Sequence, residues 1–144
     1  MAAPQEKDIQ AMRKSRFSPP YKAPGKTNFP GIRGKSGVYL IKENGKLVYV
    51  GYSETNLYRT MYRHFESWTH KSQEVITYAS KMSRNKYTVR VVLCGPKKAA
   101  QLERSLIIKH RPKDNANKYT NYTLEFRDKQ VVQDYIKVEQ EAPF

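Results

Sequence analysis

Two short apolar runs flanking Asn44-Gly45 constrain this chain most. Gly37-Val38-Tyr39 and Tyr49-Val50-Gly51 are strand-like and each carries a tyrosine. An Asn-Gly pair between such runs is a strong hairpin signal, because both residues tolerate the positive φ of a tight turn. Strands are expected over 36–42 and 46–52. Their register decides where the tyrosines point. A two-residue Asn44-Gly45 turn pairs Tyr39 with Val50 and puts the tyrosines on opposite faces. A three-residue Glu43-Asn44-Gly45 loop, with Gly45 left-handed, pairs Tyr39 with Tyr49. The second register is expected, since a shared site needs both rings on one face.

After the hairpin, Leu57, Met61, Phe65 and Trp68 recur at helical spacing, with Tyr58 and Tyr62 widening the stripe. A helix over 56–68 follows, capped by Thr55 or Asn56. Arg59 and Arg63 lie one turn apart on its polar side, and Thr60 and His64 at the stripe's boundary. Arginines so placed are ordinarily a solvated face. Val75-Ile76-Thr77-Tyr78 reads either as a short strand or as a helix start. Tyr87, Val89, Val91 and Leu93 alternate with Thr88, Arg90 and Val92, so 87–94 is a strand. Gly95-Pro96 breaks it and opens a helix over 97–110, which His110-Arg111-Pro112 ends. A last helix over 128–140 turns Val131, Val132, Tyr135 and Ile136 inward.

The helix over 97–110 holds an anomaly. Ala99, Ala100, Leu102, Leu106 and Ile107 form one apolar arc, and Glu103 falls in its middle. A carboxylate aimed into a core is costly unless it is paired or binds a metal. A buried Glu–Arg pair is one solution, and a metal-binding or catalytic carboxylate is the other.

Composition narrows the class. Lys and Arg total 27 against 13 acidic residues, a formal charge of +14. That excess suits a polyanionic partner, nucleic acid first among them. Cys94 is the single cysteine, so an internal disulfide, a Cys-rich zinc site and a CxxC pair are excluded. In an apolar strand run it reads as a small core residue. No apolar run is long enough to span a bilayer and no signal peptide is evident, so an intracellular protein is expected. Residues 1–35 interleave prolines, glycines and basic residues. Within them 5–13 is a weak helix and 18–21 an extended piece. The tail is either a basic arm on phosphates or a disordered leader. The chain then divides into this tail, a domain over 36–117, and a C-terminal helical extension over 118–144.

Taken in order, these pieces resemble the GIY-YIG nuclease family. Gly37-Val38-Tyr39 matches its first tripeptide and Tyr49-Val50-Gly51 its second. Leu102-Glu103-Arg104-Ser105-Leu106-Ile107 is similar to its glutamate helix, and Arg111-Pro112-Lys113-Asp114-Asn115 to its terminal Pro-x-x-Asn. The resemblance implies an α+β fold, a small three-stranded antiparallel sheet flanked by helices. It implies a DNA endonuclease with one divalent cation, Mg²⁺ or Mn²⁺. Glu103 would be the metal's protein ligand. Tyr49, or less favourably Tyr39, would take a proton from the attacking water, and an arginine would stabilise the phosphorane. The family's histidine follows its arginine by four residues, whereas His64 follows Arg59 by five and the residue at four is Arg63. Both arginines are therefore candidates, Arg59 ahead. His64 would assist proton transfer or bind the scissile phosphate, or simply pack on Trp68. Tyr52, Ser53, Lys109 and Lys113 are candidate DNA contacts, and Asn115 would orient the loop or the site. DNA is the expected partner, a monomer and a DNA-induced dimer both remain open, and no membrane role is expected. The rival reading is a non-catalytic nucleic-acid-binding module on the same fold.

Overall fold

The computed structural model describes residues 34–65, 76–115 and 118–141. The readings placed on 1–33, on Trp68 and on Val75 lie outside these residues. The elements run β1 (Gly37–Glu43), β2 (Lys46–Ser53), α1 (Leu57–Tyr62), β3 (Tyr87–Leu93), α2 (Pro96–His110) and α3 (Phe126–Glu141). Tight 3₁₀ turns lie at Arg63–Phe65, Ala79–Lys81 and Lys113–Asn115. All three strands are antiparallel, in the order β2-β1-β3.

β1 is central because its first five residues are buried on both faces. Val38 and Leu40 face a core shared with Val50, Ala99, Leu102, Leu106, Ile107, Val132 and Tyr135. α2 and α3 thus cover one side of the sheet, and each fully buried aliphatic side chain there is worth roughly 1.5–3 kcal/mol. Tyr39 and Ile41 face the other core, with Val48, Leu57, Met61, Phe65, Tyr78, Tyr87, Val89 and Val91.

The hairpin register differs from expectation. Glu43 pairs with Lys46, so the turn has two residues, and both Asn44 (φ 52°) and Gly45 (φ 84°) are left-handed. Lys42 then pairs with Leu47, but Ile41 pairs with Tyr49 and Tyr39 with Gly51. Val48 is the extra residue of a β-bulge. Bulge residues on one strand oppose a single partner and change which face the following side chains take. Val48 and Tyr49 accordingly pack against the same core, while Val50 belongs to the opposite one. The tyrosines do share a face, through the bulge rather than a three-residue loop.

The helix expected over 56–68 is an α-helix over Leu57–Tyr62 that tightens to 3₁₀ at Arg63–Phe65. Asn56 caps it, its side chain accepting from the Arg59 N–H at 3.2 Å. Ile76-Thr77-Tyr78 takes neither strand nor helix form. α2 starts at Pro96, a residue suited to a first turn because its missing N–H would have no helical partner there. It ends at Arg111, left-handed at φ 46°, followed by Pro112. α3 packs Val132 and Tyr135 onto the α2 core.

Both tripeptide glycines have steric reasons. A Cβ on Gly37 would lie 2.2 Å from the Val92 carbonyl oxygen. A Cβ on Gly51 would lie 2.3 Å from both Cζ and the hydroxyl oxygen of Tyr39, whose ring crosses over this residue. That ring is 1% exposed and has no room to swing aside. Gly51→Ala should therefore lower the urea unfolding free energy by about 1–3 kcal/mol, the cost of overpacking a filled core. An unchanged unfolding curve would show that the Tyr39 ring can yield.

Candidate active site

Tyr39, Tyr49 and His64 form one aromatic cluster. Ring centroids are 6.1 Å apart for the tyrosines, 5.5 Å for Tyr39–His64 and 4.4 Å for Tyr49–His64. His64 is buried, its Nδ1 2.7 Å from the Ile76 carbonyl and its Nε2 2.8 Å from the Tyr39 hydroxyl. A carbonyl only accepts, so Nδ1 carries the proton and Nε2 accepts from Tyr39. Burial pushes the imidazole down to about 4, with the neighbouring charge of Arg63 acting the same way and the Ile76 bond opposing. Burial raises Tyr39 well above the ordinary phenol range, and Tyr49 and Glu103 add to it. Tyr49 is also raised by burial, against the lowering charge of Lys118.

Glu103 is 1% exposed, as the helical periodicity requires, and among the described residues its ion pair is with Lys118 rather than an arginine. Its Oε2 accepts from the Lys118 ammonium at 2.5 Å and its Oε1 from the Tyr119 hydroxyl at 3.1 Å. Burial raises its pKa, and those two bonds oppose the rise. Its charge acts on both Tyr39 and Tyr49, so carboxylate and tyrosines share one electrostatic site. Among the described residues no three His, Cys, Asp or Glu side chains cluster as a metal cage. A lone carboxylate nevertheless fits Mg²⁺ or Mn²⁺, which keep water and phosphate oxygens as most of their ligands. The ammonium on Oε2 shows that this carboxylate accepts a cation.

The remaining candidates divide. Arg63 is half-buried beside the cluster, and its charge acts on Tyr39 and His64. Arg59, ranked first from spacing, is exposed on α1. Asn115 is buried and clamps β2, its Oδ1 accepting from the Val50 N–H at 2.9 Å and its Nδ2 donating to the Val50 carbonyl at 3.1 Å. Ser53 is buried, its hydroxyl oxygen accepting from the N–H groups of Thr55 and Asn56 ahead of α1. Tyr52 is half-buried, with the Lys118 ammonium 5.8 Å from its ring centre. Lys109 and Lys113 are exposed, and Lys113 pairs with Glu43 at 3.1 Å.

Sequence reasoning missed four contributors. Lys118 and Tyr119 hold Glu103 from a loop with no periodic signal. Arg111 pins that loop, donating to the carbonyls of Tyr119 and Tyr122 at 2.5 and 2.6 Å. Asp114 accepts from the Tyr78 hydroxyl at 2.7 Å, and its charge reaches Tyr49 and His64.

Comparison with known proteins gives a consistent result. Residues 35–120 match the family model described as GIY-YIG catalytic domain. The chain is 31% identical over 84 residues to UvrABC system protein C of Thermosipho africanus, a match covering 58% of this chain and 14% of that protein. No solved structure matches.

The histidine makes stability pH-dependent. The unfolded chain protonates His64 near the ordinary 6.5, whereas the folded state resists until about 4. As pH falls through that window the unfolded state binds the extra proton first, and stability drops by ~1.4 kcal/mol per unit, about 3 kcal/mol in all. His64→Gln keeps a donor and an acceptor but cannot titrate. Urea unfolding at pH 7, 5.5 and 4.5 should show a shallower fall for this variant, and parallel curves would contradict the buried neutral imidazole.

Proposed function

The chain belongs to the GIY-YIG catalytic-domain family, and from that premise we propose that it is a divalent-metal-dependent DNA endonuclease. The observation that carries the reading is a buried carboxylate, Glu103, sharing one site with Tyr39, Tyr49 and His64. The formal charge of +14 supports a polyphosphate substrate.

Each side chain has a task in this reading. Glu103 would hold the cation, and a divalent ion bound there would supply positive charge to the phosphodiester oxygens. Tyr49 takes the proton of the attacking water. Both tyrosines have raised pKa values, so neither stands as a phenolate at neutral pH. Tyr49 would act as the base where nearby cations, Lys118 and a divalent ion on Glu103, favour its ionised form, while Tyr39 donates to Nε2 of His64, which is unprotonated at neutral pH. The Ile76 carbonyl holds the ring in the tautomer that leaves Nε2 open. Arg63, beside Tyr39 and His64, is the arginine assigned to the phosphorane. Tyr52, Lys109 and Lys113 lie on accessible surface and take the DNA-contact role, while Asn115 and Ser53 hold the β2 backbone and the turn into α1.

Supercoiled plasmid incubated with Mg²⁺, Mn²⁺ or EDTA tests the whole reading. Wild type should nick or linearise it with metal and not in EDTA, and Glu103→Gln should abolish cleavage. Arg63→Ala should lower the rate by about 10²–10³-fold, the usual cost of losing one charge-stabilising donor, and Arg59→Ala far less. The reverse order would return the role to Arg59. No cleavage of plasmid, branched or single-stranded DNA by wild type, with DNA affinity unaltered in Glu103→Gln, would favour a binding module instead.

A further inference from the structure

Lys118 meets the carboxylate that the reading above gives to a metal ion. Its ammonium is 2.5 Å from Glu103 Oε2, while Tyr119 donates to Oε1, so each oxygen of the buried carboxylate has a partner. The two partners are adjacent in sequence, on a loop that Arg111 pins to the end of α2 through the Tyr119 and Tyr122 carbonyls. Glu103 is thus supplied with a cation by its own chain.

We propose that Lys118 is a resident cation, which neutralises Glu103 in the metal-free protein and must be displaced for a divalent ion to bind. The inference rests on the metal-dependent reading of the site. Mg²⁺ binds carboxylate oxygen at about 2.0–2.1 Å. An ammonium already in contact with that oxygen would face the ion at a few ångströms, and two cations that close repel strongly away from bulk water. The ammonium therefore leaves when the ion arrives. Its exit is open: the Lys118 side chain is 47% exposed, and the ammonium lies 5.8 Å from the Tyr52 ring centre and 5.4 Å from that of Tyr119. Tyr119 keeps the other oxygen oriented meanwhile. Once released, the ammonium is tethered beside Tyr49 and Tyr52, where a substrate phosphate would lie. Metal and DNA then favour each other, because the phosphate offers the displaced cation a new partner and thermodynamic coupling runs both ways. Metal affinity without DNA is correspondingly weak.

Direct Mn²⁺ binding without DNA tests this, with free Mn²⁺ read by electron paramagnetic resonance at pH 8. Lys118→Met should bind about tenfold more tightly than wild type, a difference of about 1.4 kcal/mol. Lys118→Gln, which keeps a donor for Oε2 without the charge, should also tighten and guards against misfolding of the Met variant. Glu103→Gln, alone or combined with Lys118→Met, should lose saturable binding. Mn²⁺ should also raise the melting temperature more in Lys118→Met than in wild type. If both Lys118 variants bind no tighter than wild type while Glu103→Gln abolishes binding, the resident-cation inference fails and the metal site stands. If Glu103→Gln binds as well as wild type, the metal reading fails and takes this inference with it.

Discussion

The site depends on one extra residue in an edge strand. With a two-residue turn and no bulge, Tyr49 would stand on the opposite face of the sheet from Tyr39. Val48 shifts the register so that Tyr49 pairs with Ile41 and Gly51 pairs with Tyr39. Tyr49 then joins the face of Tyr39, and the Tyr39 ring runs over Gly51 to the His64 nitrogen. A bulge in an edge strand needs holding, because it disrupts the ladder and leaves edge groups unpaired. Asn115 supplies the hold. Its amide bonds both the N–H and the carbonyl of Val50, just past the bulge, as a neighbouring strand's peptide group would.

That view explains what could be read from the chain and what could not. Asn44-Gly45 announced a hairpin but not its two-residue turn, because the expected loop left only Gly45 left-handed whereas both residues are. Glu103 announced its own burial, because an apolar arc of period 3.6 surrounds it. The bulge had no such signature. Val48 and Val50 are both apolar and the sheet is buried on both faces, so either register fills a core. Hydrophobic pattern fixes register only where one face is polar.

The arginine shows a second limit. A uniform helical wheel over 56–68 treats Arg59 and Arg63 as equivalents one turn apart. The helix tightens to 3₁₀ at Arg63–Phe65, and three residues per turn rotate the side chains relative to that wheel. His64 meets the tyrosines and the Arg63 charge acts on Tyr39 and His64, while Arg59 is exposed. Lys118 and Tyr119 were beyond reach for another reason. They meet Glu103 from a loop, by a contact that no periodicity encodes.

Charge accounts for how these parts can work together. Burial raises both tyrosines, and the Glu103 charge adds to the rise. Lys118 offsets part of this at Tyr49 without reversing it. The net result keeps Tyr39 and Tyr49 protonated, which protects the packed cluster, since a buried phenolate without a partner would be costly. It also means that an unbound site has no strong base exposed to solvent. In the proposed metal-dependent reading two ligands would remove this restraint. Displacing Lys118 from Glu103 would free an ammonium to meet phosphate, and a divalent ion on Glu103 would replace a negative field near Tyr49 by a positive one. The same buried carboxylate that penalises ionisation at rest would thus, in that reading, favour it once metal and substrate were both present.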